Sequence, residues 1–421
     1  MLILLLLVAA FSLSRRYIPA VGGAWGGLPV KVRTFAGPVI ALVLAVLVPG
    51  AGFIPGITTQ SNGWLPQTTL VYCAIYALFA MGLNIVVGYA GLLDLGYVAF
   101  FLFGSYVAAW LMSDFWYTRS FRFFDAVRLN PTLEVRGIHL SFWLVMIVAA
   151  VVAAIAGVLI GAPTLRLKSD YLALVTLGFG EILPEVFRNG DDVAGANLTN
   201  GTSGIGPLDK IGTGFLKSII GTPNSLERLD RVAIEPSDHR HKYYVILFFC
   251  ILFVYVSLRL RGGKLGRAWL AIREDELAAS LMGVPLMRTK LWSYAIGAAA
   301  GGLAGTFYAT TIGIVNVDTF QFSFSIIILC AVILGGMGNV WGAILGGAVI
   351  TWFNYTGLVW IGQKLSDAMN VTVDLKRYEF GFFGMILVLM MVFRPQGLLP
   401  AARQKQVKEI ERKIETKAVG A

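Results

Sequence analysis

The chain has 421 residues, 57% hydrophobic and 14% charged, with a mean hydropathy of +0.73, more apolar surface than a soluble core of that length can hide. A net charge of +10 does not mark a nucleic-acid protein, because the basic residues fall in the short stretches between apolar runs and in the tail, with no soluble basic face. Backbone groups must be paired inside hydrocarbon and the apolar runs do not alternate, so the composition predicts an all-α polytopic transmembrane bundle and excludes a β-barrel.

Taken in chain order, runs of spanning length lie near residues 1–13, 37–54, 67–88, 92–112, 140–162, 171–188, 242–259, 291–313, 324–338, 341–361 and 379–393, or about 10–11 spans. Residues 1–13 are short and are followed by Arg15 and Arg16, the wrong side for a signal peptide, so a span and a surface segment both stay open there, and with them the side of the amino terminus. Three parts follow: 1–66, an extension with one or two spans; 67–400, the main membrane domain; and 401–421, a basic tail.

Sidedness comes from the Lys and Arg residues. Arg15, Arg16, Lys31 and Arg33 mark one cytoplasmic segment, and Arg166 and Lys168 a second. The loop 259–290, with Arg259, Arg261, Lys264, Arg267 and Arg273, is a third, and the tail from Arg394 a fourth. Even numbers of runs separate all of these. Residues 189–241 are then outside and the carboxyl terminus is inside. Cys73, Cys250 and Cys330 lie in apolar runs without metal-ligand spacing and read as small buried hydrophobes, while His139, His239 and His241 read as surface polar residues at outer span ends.

No Gly-rich phosphate loop ending in Gly-Lys-Ser/Thr and no His-Glu-x-x-His occurs, so neither catalysis nor nucleotide hydrolysis is expected of this chain. Polar and small residues at membrane depth carry the remaining information. The run 82–96, GLNIVVGYAGLLDLG, holds Asn84, Gly88 and Asp94 and reads either as a broken helix beside a substrate path or as a tight, closely packed hairpin. The run 170–185, DYLALVTLGFGEILPE, holds Thr176, Gly178 and Glu181 as further candidates for a substrate path; Glu181 and Glu185 share one helix face, bent by Pro184, and read either as lining that path or as solvated at the outer interface. A third glycine-punctuated run, 334–347, loosely echoes the first. Between spans, 267–282 reads RAWLAIREDELAASLM, a helix-forming stretch with both charge signs, suited to docking in a partner's groove more than to lying on anionic lipid.

These words resemble the LivM-type permeases of branched-chain amino acid ABC importers. The resemblance runs from about residue 72 to 400 and rests on 82–92, LRL at 165–167 with DYLA at 170–173, TLGFGEI at 176–182, GRAW at 266–269, REDE at 273–276, LGGMG at 334–338 and RPQGLLP at 394–400. It implies a permease in the bacterial cytoplasmic (inner) membrane, moving Leu, Ile and Val, with other apolar amino acids as a wider class, by alternating access. Implied partners are a homologous LivH-type permease, two cytoplasmic ATPase subunits that use ATP and Mg, a periplasmic amino-acid-binding protein and membrane lipid; this chain itself holds no cofactor and no metal.

The resemblance makes 259–290 the coupling loop, with Arg267, Trp269, Arg273, Glu274, Asp275, Glu276, Ala278, Ala279 and Gly283 as ATPase-coupling residues. Against the importer pattern Glu-Ala-Ala-x-x-x-Gly, Ala278, Ala279 and Gly283 fit, but Leu277 stands at the Glu and Glu276 comes one residue early. Asn200, Gly201, Thr202 and Gly204 match a Gly-rich outer loop that would face the binding protein, and Asp94 departs from an uncharged family position. A self-sufficient carrier driven by H⁺ or Na⁺, with Asp94, Glu181 or an unwound helix as its ion site, is the alternative.

Overall fold

The computed structural model describes Ala45 and residues 66–116, 122–123, 127–128, 138–167, 169–193, 197–209, 211, 239–369, 374–394 and 397–399. The expectations for 1–13, for 37–54 other than Ala45, and for the tail 401–421 lie outside the described residues. What is described is helical. In chain order come α1 (Gln67–Leu83), continued by a π-helical segment Asn84–Tyr89, then α2 (Val98–Leu111), α3 (Phe142–Thr164), α4 (Ser169–Arg188), α5 (His239–Gly262), α6 (Lys264–Glu274), α7 (Glu276–Leu281), α8 (Leu286–Ile312), α9 (Phe322–Gly335), α10 (Val340–Trp352), a second π-helical segment Phe353–Gly357, α11 (Leu358–Met369) and α12 (Glu379–Phe393). Two minimal hairpins complete the list: β1 (Met112–Ser113) pairs antiparallel with β4 (Ile138–His139), Met112 opposite His139, and β2 (Arg122–Phe123) with β3 (Val127–Arg128).

Four of the described helical stretches, Gln67–Tyr89, Phe142–Thr164, His239–Gly262 and Val340–Asp367, are long and apolar enough to cross a membrane. Their surfaces separate into two kinds. The first is almost wholly buried and forms the centre of the bundle. On α3 the exposed side chains Trp143, Ile147, Val151, Ile155 and Leu159 recur every fourth residue, a stripe of apolar surface suited to lipid or to another apolar helix.

Helix α8 is the axis against which α1, α2 and α3 pack. It reaches them through glycine: a Cβ at Gly104 of α2 would lie 2.1 Å from the Gly302 carbonyl, and one at Gly305 would lie 2.2 Å from that of Phe101. Backbones in contact at that range gain dispersion and specify one register.

The expected span 92–112 is corrected by the structure. Helix α2 begins only at Val98 and has 14 residues, about 21 Å of rise, short of the hydrocarbon thickness. Residues 90–97 are irregular because Gly91 takes φ +72° and Asp94 turns its carboxylate back onto the Gly96 N–H. Likewise 324–338 resolves into α9, of 14 residues, and a turn whose Gly336 and Gly338 have positive φ.

Candidate functional site

The two glycine runs that echo each other in sequence meet in space. Asn84, at the start of the first π-helical segment, accepts the Gly338 N–H on its Oδ1 at 2.8 Å. A Cβ at Gly88 would lie 2.2 Å from that same Oδ1 and 2.5 Å from the Gly338 nitrogen, so only glycine permits the crossing. From the other side, the N–H groups of Leu398 and Leu399 bond the carbonyls of Leu334 and Gly335, at 2.8 and 2.9 Å, and Asn339 Nδ2 donates to Leu399 O. Leu398 and Leu399 thereby cap the end of α9, satisfying carbonyls that its helix leaves open.

The REDE block meets the same crossing through Arg273, while Asp275 and Glu276 bond elsewhere. Arg273 turns inward and donates from Nη1 to the Gly88 carbonyl at 2.5 Å. Burial pushes its guanidinium below the ordinary pKa, with Glu274 acting in the opposite direction. Glu274 is exposed. Asp275 caps α7, its Oδ1 accepting the Ala278 N–H at 2.9 Å. Glu276, whose early place broke the importer pattern, pairs with the buried Lys290 Nζ at 2.5 Å and so ties α7 to the start of α8.

Trp269 is fully buried and donates to Thr289 O at 2.7 Å, whereas Arg267 is exposed and donates from Nη1 to Gly262 O at the end of α5. Ala279 packs inward, Ala278 is exposed, and Gly283 ends the segment at φ +82°. Beside the exposed Glu276 and Ser280, α7 and the turn after it present three large apolar side chains outward: Leu277, Leu281 and Met282 are 71%, 80% and 85% exposed.

The residues named for a substrate path divide. Thr176 and Asp94 come together, since Thr176 Oγ1 accepts the Leu95 N–H at 3.1 Å beside the Asp94–Gly96 turn. Asp94 is buried, and among the described residues its Oδ2 has no hydrogen-bond partner, nor does Asn84 Nδ2. Gly178 lies two residues along α4 with nothing within 4 Å of where a Cβ would be, and Glu181 stands exposed on the same helix, so neither joins that cluster.

At the opposite end of the bundle the Gly-rich loop is rigidly built. Asn200 is in the left-handed region at φ 59°, its Nδ2 donating to Gly204 O at 2.6 Å; Gly201 and Gly204 are buried, and Thr202 is exposed with its carbonyl held by Asn316. The reading of His139 as a surface residue is corrected: its side chain is 10% exposed, with Nδ1 2.6 Å from Asp209 and Nε2 3.0 Å from Asp114. That staple, and Lys290, were missed because both partners of each pair lie far apart in sequence or across a helix break. Ser325 was missed likewise; its Oγ accepts the Val98 N–H at 2.9 Å and caps α2 from another helix.

Apolar outer stripes, helices broken at a shared glycine crossing and a docked segment of two short helices define an integral membrane protein of the polytopic helical class. Residues 65–391 match the family described as "Branched-chain amino acid transport system / permease component". The chain is 35% identical over 388 residues to the high-affinity branched-chain amino acid transport system permease protein LivM of Escherichia coli (strain K12), covering 92% of this chain and 78% of that one. It is 36% identical over 331 residues to LivM of Salmonella typhimurium (strain LT2), covering 78% and 68%. To LivH of Escherichia coli (strain K12) it is 24% identical over 334 residues, covering 77% and 91%. No solved structure matches. The chain therefore belongs to the branched-chain amino acid transport permease family, as a LivM-type member.

Proposed function

We propose that this chain is one permease subunit of an ATP-driven importer in the bacterial inner membrane, paired with a LivH-type subunit and carrying Leu, Ile, Val and other apolar amino acids inward by alternating access. Two cytoplasmic ATPases supply the hydrolysis of ATP with Mg, and a periplasmic protein delivers the substrate to the end that holds Thr202. The observation that carries this reading is the segment Lys264–Leu281, whose buried side is anchored to the helix crossing while Leu277, Leu281 and Met282 stand out as apolar knobs. Such knobs fit a groove in a partner. A passage for an apolar side chain needs few charges, and selection is left to the binding protein.

The ion-driven carrier keeps one observation in its favour, the buried Asp94 with one oxygen unpaired among the described residues. Uptake of labelled leucine into vesicles holding the complete set of subunits separates the two. Wild type is expected to need ATP, Leu281→Glu to lose the ATPases and the uptake together, and Asp94→Asn, which keeps an oxygen for the Gly96 N–H, to hold its uptake within about tenfold, or about 1.4 kcal/mol. Uptake without ATP that falls away in Asp94→Asn would establish the carrier instead.

A further inference from the structure

Arg273 belongs to the docked segment by sequence, yet its partly buried side chain turns toward the helix crossing. Its bond leaves the segment for the helix crossing, whereas Asp275 caps α7 and Glu276 pairs with Lys290. Its aliphatic stem lies along Gly91, where a Cβ would come within 2.7 Å of Arg273 Cγ, and its Nη1 sits 3.0 Å from the position of a Cβ on Gly338. The Gly88 carbonyl it holds is open, because the N–H groups that follow bond farther back: Ala90 to Ile85 and Leu92 to Val86, at 3.2 and 3.1 Å. A guanidinium on such a carbonyl is a charge-assisted bond in a half-buried place, stronger than a neutral one. Neighbouring contacts close the grip on the π-helical segment: Tyr89 OH lies 3.3 Å from Ser257 Oγ, and the Arg261 guanidinium stands 5.9 Å over the Tyr89 ring.

We propose that Arg273 is a positioning residue that fastens α6 to the crossing of the two broken helices, so that a shift of 264–282 is delivered at Gly88 and Gly338 and not only through the ends of α5 and α8. This rests on the ATP-driven reading above. Three conditions make the crossing the place where a small shift becomes a change of path. Its backbones approach closely at Gly88 and Gly338, with only the polar ends of Asn84 and Arg273 bonded into the contact. Its π-helical register is one residue away from an α-helical alternative. It also lies next to the irregular 90–97 segment that carries Asp94. Motion applied to a packed contact of this kind selects between discrete arrangements instead of deforming one.

The test uses the complete transporter in vesicles, reading ATP hydrolysis, leucine uptake and retention of the ATPase subunits in the same preparation for wild type, Arg273→Met and Arg273→Lys. Arg273→Met keeps the stem along Gly91 and removes the donor. It is expected to retain the ATPases and hydrolyse ATP within about twofold of wild type, while uptake per ATP falls at least tenfold, about 1.4 kcal/mol. Arg273→Lys, which returns one donor, recovers part of that ratio. A residue that merely stabilised the fold would lower hydrolysis and uptake together, and one that docked the partner would lose the ATPases; either result overturns the proposal, as does an unchanged ratio. Should Arg273→Met fail to fold into the membrane at all, the ratio in Arg273→Lys decides alone. Wild-type uptake that needs no ATP would reject the importer reading itself and is distinguishable from all of these.

Discussion

At the scale of single residues, the block 273–276 shows how little of a charged cluster's role lies in its charge pattern. Four adjacent ionisable residues read together as a docking face, whereas the structure sends one inward, exposes one, uses one as a helix cap and pairs one with a buried lysine. The Glu276–Lys290 pair has one partner at 51% exposure and the other at 5%, so it lies between a surface pair and a fully buried one. Glu276→Gln leaves the lysine with less compensation and is expected to destabilise the purified chain by about 1–2 kcal/mol. The double variant Glu276→Gln/Lys290→Met is expected to regain most of that loss, which thermal unfolding of the four proteins of the cycle in detergent would reveal. Losses that simply add would show the two side chains to be uncoupled. The sequence exposed Glu276 as a misfit to the importer pattern. It had no means of naming Lys290, fourteen residues on and across a turn, as the reason.

At the scale of elements, the positions of the helices were legible and their interruptions were only half so. Continuous apolar runs located α1, α3, α5, α9 and α12 to within a few residues, because hydrocarbon leaves the backbone no alternative to a helix. Runs of glycine marked where helices break, but glycine serves equally for a break and for close packing. Gly91 and Gly338 turn out to be breaks, with positive φ, while Gly104, Gly302 and Gly305 are contacts inside unbroken helices. The two uses predict different responses. Gly104→Val drives a side chain into the Gly302 carbonyl and is expected to cost about 2 kcal/mol or more in thermal stability as α2 and α8 are pushed apart. Gly178→Ala meets nothing within 4 Å and gains helix propensity, so its stability is expected to stay equal or rise by up to about 1 kcal/mol. If Gly178→Ala keeps that stability in the isolated chain yet lowers transport by the assembled complex, the open face of α4 around Gly178 and Glu181 is contacted by something other than this chain.

For the whole molecule, the packing brings to one end the segments that the distribution of charge assigns to one side of the membrane. Lys and Arg asymmetry assigned 166–168, 259–290 and the tail from 394 to the cytoplasm. The structure gathers those segments at one end: Gly161 near the foot of α3 lies against Leu291 and Tyr294 of α8, Arg273 reaches Gly338, and residues 397–399 sit on the end of α9. At the other end are the Asn200 loop bonded to Val315 and Asn316, the Arg188–Asp318 and Arg188–Glu185 pairs, and His139 between its two aspartates. The acidic end and the basic end of one bundle cannot both face the same compartment. Single cysteines at the exposed positions Thr202 and Met282 are therefore expected to label from opposite sides of the membrane with an impermeant maleimide: Thr202→Cys in intact spheroplasts, Met282→Cys only in inverted vesicles. The native Cys73, Cys250 and Cys330 are all buried, so the wild-type background supplies its own blank. Labelling of Met282→Cys in spheroplasts would invert the assignment, place the Lys264–Leu281 segment away from any cytoplasmic ATPase, and remove the physical basis for coupling through it.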